Sequence, residues 1–295
     1  WPDGTNFEYS NDEEQLNAEI AKLNPADVAG YARFLEYSAR VYEEGYLKLG
    51  TKPFLDFKSM LKAAPALIKE QAWRSVYSMV SSYIEHPKLR EAFSFHSLLV
   101  GGNPMNTSSI YALIHKLEKD GGVWWARGGT NRLIAGMVRH FERLGGTMRV
   151  GDPVVQVHTL GTKATEVETK SGFRQRFDAV ASNADIMHSY KDLLSGSERG
   201  KKMAKSLNRK SFSPSLFVVH FGLEGTWPGI PHHMILFAKR YKGLLDDIYK
   251  NGVVPEDFAI YLHHPTVTDP SMAPAGKSTF YALVPVSHMG KMPLD

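Results

Sequence analysis

The sequence predicts an α/β protein in the broad sense, an α+β arrangement with two subdomains, and three observations carry that expectation. Up to about Gly122 the apolar positions recur at helical spacing, punctuated by Pro53, Pro65, Pro87 and Pro104. From Val123 onward the texture changes to short β-branched and aromatic runs separated by glycine turns. Of the 295 residues 43% are apolar and 22% charged, which is ample for a buried core and unlike a disordered chain.

In order along the chain, Asn24-Pro25-Ala26-Asp27 reads as a helix start, with Asn24 as N-cap and Asp27 at the positive end of the dipole. Val28, Tyr31, Leu35, Tyr42 and Leu49 then keep helical spacing up to Gly50. Further helices are expected over residues 58–64, 71–84, 88–99 and 109–118. Val123-Trp124-Trp125 reads as a short strand, followed by the turn Arg127-Gly128-Gly129-Thr130 and a helix carrying Leu133, Met137, Phe141 and Leu144. Strands are expected at 154–159, 164–169 and 177–182, a basic helix at 198–210, and apolar strands at 216–223, 258–263 and 278–286.

Lys plus Arg less Asp plus Glu is 35 − 31 = +4, with a pI near 9.0. That balance suits an anionic surface but does not call for nucleic acid. The cluster Arg199, Lys201, Lys202, Lys205, Arg209 and Lys210 lacks the interleaved aromatics of single-strand binding and reads best as a solvated helix face. With no cysteine, thiolate metal sites, thiol catalysis and disulfides are excluded. Residues 92–115 carry no Asp, Glu, Lys or Arg, yet Gly101-Gly102-Asn103-Pro104 and Asn106 to Ser109 make them too polar and broken to span a bilayer. The chain opens on Trp1 without a secretory leader.

Several catalytic signatures are missing: no G-x-S-x-G, no H-E-x-x-H and no G-x-G-x-x-G occurs, and Ala275-Gly276-Lys277-Ser278 lacks the first glycine of a phosphate loop. His232-His233 and His263-His264 could ligate a metal, but neighbours on a strand point to opposite faces and no carboxylate stands at a useful spacing, so no metal is expected.

Two features invite ligands. Residues 41–84 set Lys48, Lys52, Lys58, Lys62, Lys69 and Arg74 among Tyr42, Tyr46, Leu49, Phe54, Leu55, Phe57, Met60, Leu61, Leu67, Ile68, Trp73 and Tyr77. Cations beside interfacial aromatics make a monotopic membrane contact, although an ordinary amphipathic layer over a core gives the same pattern. Gly128-Gly129-Thr130 at a helix start, and the small residues Ala181-Ser182-Asn183-Ala184-Asp185, are places where a flat or anionic ligand can approach backbone.

Taken together, Phe93-Ser94-Phe95-His96-Ser97-Leu98-Leu99-Val100-Gly101-Gly102-Asn103-Pro104, Thr107-Ser108-Ser109-Ile110-Tyr111, Arg127-Gly128-Gly129-Thr130, Ala181-Ser182-Asn183-Ala184-Asp185 and Tyr261-Leu262-His263-His264-Pro265 with Thr268-Asp269-Pro270 closely resemble the bacterial-type phytoene desaturases of carotenoid synthesis. The resemblance runs the length of the chain. It implies the central part of a two-domain FAD-dependent oxidoreductase of the flavin amine oxidase superfamily, lacking the N-terminal dinucleotide-binding βαβ unit. The expected organisation is a helical substrate and membrane domain at 1–122, the middle of the FAD domain at 123–186, and substrate-domain sheet and helices at 187–295.

By the same resemblance Gly128, Gly129 and Thr130 lie near the flavin, Val154 meets the adenine through its backbone, and Ala181, Ser182 and Asn183 line the dinucleotide arm. The implied reaction is desaturation of phytoene to neurosporene or lycopene, hydride passing to the flavin. The implied partners are a C40 carotenoid and the cytoplasmic face of a membrane; no electron acceptor is named. Asp56, Lys62, His96 and Arg127 are the candidates for proton handling, each equally readable as a structural residue. A later carotenoid desaturase or isomerase, and a non-catalytic lipid-binding module, are the alternatives. The chain taken alone is expected to be colourless and inactive.

Overall fold

Asp12 launches the first helix, α1 (Glu13–Leu23), by accepting a hydrogen bond from the Gln15 amide at 2.8 Å. The structure is a computed structural model that describes residues 1–54 and 56–292. Leu55 of the basic, aromatic segment and residues 293–295 of the expected last domain lie outside the described residues. The chain forms two compact units, Trp1–Gly129 with Ser213–Asp295, and Thr130–Phe212. The divisions between the units fall at 129/130 and 212/213, and the last strands share the first unit with the helices.

In the first unit α2 (Ala26–Tyr42) begins one residue later than the capping reading: Pro25 is its N-cap, while Asn24 Oδ1 still accepts from the Ala26 amide at 3.3 Å. Asp27 does something the sequence did not suggest. It is buried, and its two carboxylate oxygens accept the Glu85 and His86 amides at 2.6 and 2.8 Å, tying α2 to the segment just before Pro87. α2 ends at Tyr42, and a wider π-type turn (Glu43–Lys48) carries the chain to Gly50.

α3 (Phe57–Lys69) is capped by Asp56 and runs through Pro65 instead of ending there. α4 (Val76–Val80) is far shorter than the expected 71–84, and α5 (Pro87–Ser94) passes into a 3-10 segment (Phe95–Val100) closed by Gly101 at φ +74°. A 3-10 turn (Ser109–Ala112) precedes α6 (Leu113–Gly121). Leu16, Ile20, Tyr31, Phe34, Tyr37, Val41, Val80, Ile84, Leu89 and Phe93 form one buried cluster. Fully burying such side chains contributes ~1.5–3 kcal/mol each before entropy is counted. Gly30 lets α2 approach the next layer, since a Cβ there would lie 2.1 Å from the Tyr83 carbonyl oxygen. Residues 123–125, expected as a strand, are irregular.

The second unit starts with α7 (Thr130–Arg143), none of whose residues is buried; Leu133, Ile134, Met137 and Phe141 are exposed. β1 (Val154–Leu160), β2 (Lys163–Thr169) and β3 (Arg174–Arg176) make an antiparallel sheet in that order. The third strand precedes the expected 177–182, because Arg174 and Arg176 face Glu168 and Glu166 across the ladder while Ala181, Ser182 and Asn183 are irregular. A single turn, α8 (Ile186–His188), and a π-type turn (Ser189–Leu193) lead to α9 (Glu198–Leu207), whose Arg199, Lys201, Lys202 and Lys205 are exposed as a solvated face requires.

Back in the first unit, β4 (Ser215–Glu224), β5 (His233–Leu236), β6 (Ile260–His263) and β7 (Lys277–Val286) form an antiparallel sheet ordered β4-β7-β6-β5, with α10 (Tyr241–Asp246) between β5 and β6 in sequence. Directly paired residues share a face. One face thus carries the row His233, His263, Tyr281, His220 beside Ile235, Tyr261, Leu283, Val218. The other carries Met234, Leu262, Ala282 and Val219, then Leu236 and Ile260 with Val284 and Phe217.

Candidate functional site

The loop after α6 and the loop after β6 are locked together by one carboxylate. Asp269 Oδ2 accepts the Gly128 amide at 2.6 Å and the Trp125 indole N–H at 3.2 Å, while Oδ1 accepts the Ser271 hydroxyl at 2.6 Å and its amide at 3.1 Å. These donors, the Gly128 N–H foremost, hold the Asp269 carboxyl well below the usual carboxylate range. The Gly129 amide donates to the Ala126 carbonyl at 2.8 Å. Gly128 and Gly129 both have φ near +80°, and a Cβ on Gly129 would lie 3.2 Å from Met272 Cε and 3.6 Å from the Trp125 ring. The glycines are therefore needed for a left-handed turn under Met272. Their amides, expected to face a ligand, are engaged within the protein.

Beside this turn the sheet gathers three imidazoles. His233 and His263 are direct cross-strand partners, so they share a face. His232 precedes β5, escapes strand alternation and swings to the same side, its Nε2 3.0 Å from His263 Nε2 and its Nδ1 2.6 Å from Thr268 Oγ1. His233 Nδ1 lies 2.6 Å from the Tyr261 hydroxyl. The Trp125 ring meets His232 edge-on at 4.9 Å. Burial, and then the neighbouring imidazoles, lower His232 and His263 to about 4; burial lowers His233 as well, so all three rings are neutral near pH 7. The alternation argument holds for the second pair: His264 turns to the opposite face and stacks on Phe280 at 4.2 Å.

The candidates for proton handling are not brought together. Asp56 caps α3, accepting the Ser59 amide and hydroxyl at 2.7 Å each, which lowers its pKa. Lys62 is exposed on α3. His96 is buried among Tyr9, Phe95 and His115, with Nε2 3.2 Å from Glu118 Oε2. Arg127 is exposed just before the Gly-Gly turn. Of the candidate cofactor residues, Gly128 and Gly129 belong to the first unit and Thr130, Val154, Ala181, Ser182 and Asn183 to the second. Val154 is exposed at the start of the sheet's outer strand, and Thr130, Ala181, Ser182 and Asn183 are exposed, with Ser182 Oγ 3.0 Å from Ser189 Oγ. Trp125 and Asp269 had no assigned role in the sequence, and His232 only that of a metal ligand not expected to act. Only the Asp-Pro turn signal at Asp269-Pro270 and the doubled histidines hinted at them.

Residues 1–292 match the family described as flavin containing amine oxidoreductase, and the chain belongs to that family. Its relatives include the lycopene-forming phytoene desaturases of a Paracoccus species, 54% identical, and of Pantoea ananas, 52% identical, each matched over 100% of this chain. The chain spans 59% and 60% of those two proteins' lengths. An oxidoreductase from Methanosarcina mazei of known structure shares the fold, with a TM-score of 0.54 at 18% identity over 79% of this chain and 53% of the other. FAD is the cofactor of this class. The chain's own groups fit it in part: exposed hydroxyl, amide and edge-strand backbone groups at Thr130, Val154, Ser182 and Asn183 can meet the polar dinucleotide, whereas the Gly128 and Gly129 amides are already bonded.

Proposed function

We propose that this chain is the central part of an FAD-dependent desaturase that converts phytoene to neurosporene or lycopene, at the cytoplasmic face of a membrane. The observation that carries the reading is similarity across the whole chain, at 54% and 52% identity, to lycopene-forming phytoene desaturases. When bound, the flavin supplies the hydride acceptor. The chain's own task is to hold a hydrocarbon without polar handles, which rests on apolar contact at ~25 cal/mol per Å² buried.

The sheet β4-β7-β6-β5 supports that task, because Leu216, Phe217, Val218 and Val219 along β4 remain exposed. Thr130, Val154, Ala181, Ser182 and Asn183 offer the second unit's groups toward the dinucleotide. Membrane contact is supported by α3, whose Phe57 and Ile68 are 77% and 61% exposed beside Lys58, Lys62 and Lys69. Among the described residues no helix is long and apolar enough to cross a membrane, so the contact proposed is peripheral.

The complete protein given FAD and liposomes loaded with phytoene should yield longer conjugated polyenes that absorb visible light. Turnover of a hydroxylated carotenoid but not of phytoene would move the reading to a later desaturase. Binding of liposomes with no turnover of either would leave a lipid-binding module.

A further inference from the structure

We propose that His232, His233 and His263 form a binding site for one divalent late first-row transition-metal cation, of the zinc class. One ring nitrogen of each lies within 4.8 Å of the others. His232 Nε2 and His263 Nε2 face each other at 3.0 Å, an arrangement that leaves two ring lone pairs competing for a single shared proton. Two zinc–nitrogen bonds of ~2.0–2.1 Å at a tetrahedral angle set their nitrogens about 3.4 Å apart. A cation between these rings thus needs only a small opening of the pair.

For two of the three rings the surroundings match what imidazole ligands require, while the Nδ1 of His263 is buried without a hydrogen-bond partner. A ligating ring uses its second nitrogen to bond a fixed partner, which sets its orientation. Here His232 Nδ1 has Thr268 Oγ1 and His233 Nδ1 has the Tyr261 hydroxyl, both at 2.6 Å. His233 is exposed on the edge strand β5, so its ring can pivot toward the pair, whereas His263 is buried and fixed. Neutral imidazoles without a carboxylate or thiolate suit zinc, cobalt, nickel or copper and reject magnesium and calcium. Three protein ligands leave a fourth position open.

The purified protein, with any polyhistidine tag removed and metal stripped by a chelator, is titrated with Co²⁺ and then with Zn²⁺ in competition. The expected result is saturable one-to-one binding, seen as a visible Co²⁺ absorption that Zn²⁺ removes. His232→Gln, on a partly exposed ring, should weaken affinity at least tenfold with circular dichroism and melting unchanged. Thr268→Val, which removes only the orienting partner, should weaken it ~10–100-fold. His263→Gln serves as a third variant where it folds. Absence of saturable binding, or equal affinity in wild type, His232→Gln and Thr268→Val, would overturn the site and leave the three rings a hydrogen-bonded cluster.

Discussion

Helices α2 and α3 are both amphipathic and lie fewer than twenty residues apart in sequence, yet they treat their apolar side chains oppositely. α2 buries Tyr31, Phe34, Tyr37 and Val41 in the main cluster, and the Tyr37 hydroxyl donates into a buried network with the Glu70 carbonyl and Ser109, burial pushing its pKa up to about 12. α3 buries only Ala63 and leaves Phe57, Met60, Leu61 and Ile68 exposed among lysines. Apolar content alone thus does not say what a helix is for. In α2 it stabilises the fold; in α3 it remains exposed, as the proposed lipid contact requires.

That contrast can be broken or sharpened by substitution, ranked by the effect on folding. Phe34→Ala empties a fully buried site and should cost ~3–5 kcal/mol in urea unfolding, whereas Phe57→Ala should fall within ~0.5 kcal/mol of wild type. Equal losses would end the distinction.

His115→Gln should cost ~1–3 kcal/mol, because the Phe93 carbonyl and the Tyr9 hydroxyl each lose a buried partner. Burial holds His115 well below its usual pKa, so the folded protein disfavours its charged form. Its contribution is complete above about pH 6.5 and declines as pH falls below that value, since the unfolded chain then binds the proton more readily. The variant should show a shallower fall in melting temperature between neutral and mildly acid pH; an unchanged slope would assign the acid sensitivity elsewhere.

Asp56→Ala should cost ~0.5–2 kcal/mol through loss of the α3 N-cap, with turnover in the complete enzyme kept. Loss of turnover at full stability would make Asp56 a proton-handling residue after all. Smallest in folding terms is the charge reversal of Lys58, Lys62 and Lys69 together. It should barely move the unfolding midpoint but release the protein from anionic vesicles in flotation, at ~1 kcal/mol per engaged lysine at low salt. Unchanged flotation would make α3 an ordinary surface helix.

Much of the fold was legible because local signals agreed with it: β4, β6 and β7 fall close to their apolar runs, and α7 to the helical spacing of Leu133, Met137, Phe141 and Leu144. The departures have physical causes. β5 is only four residues long and follows Pro231 and His232, too short to show alternation. Residues 123–125 are aromatic enough for a strand, but Trp125 is drawn to Asp269 by its indole hydrogen bond. The histidine cluster was less legible, since strand register alone unites residues thirty apart, and His232 avoids the alternation rule by lying just outside its strand.

The central claim, flavin-linked desaturation of a pure hydrocarbon, is tested most directly by one anaerobic measurement. The complete flavin-loaded protein is mixed with phytoene liposomes in the absence of an electron acceptor, and the flavin absorbance is followed. Phytoene should bleach the blue-edge band as hydride reaches the flavin, with a conjugated polyene appearing in step. A band that stays unbleached with phytoene delivered, but bleaches with a hydroxylated carotenoid or an amine, would contradict the account.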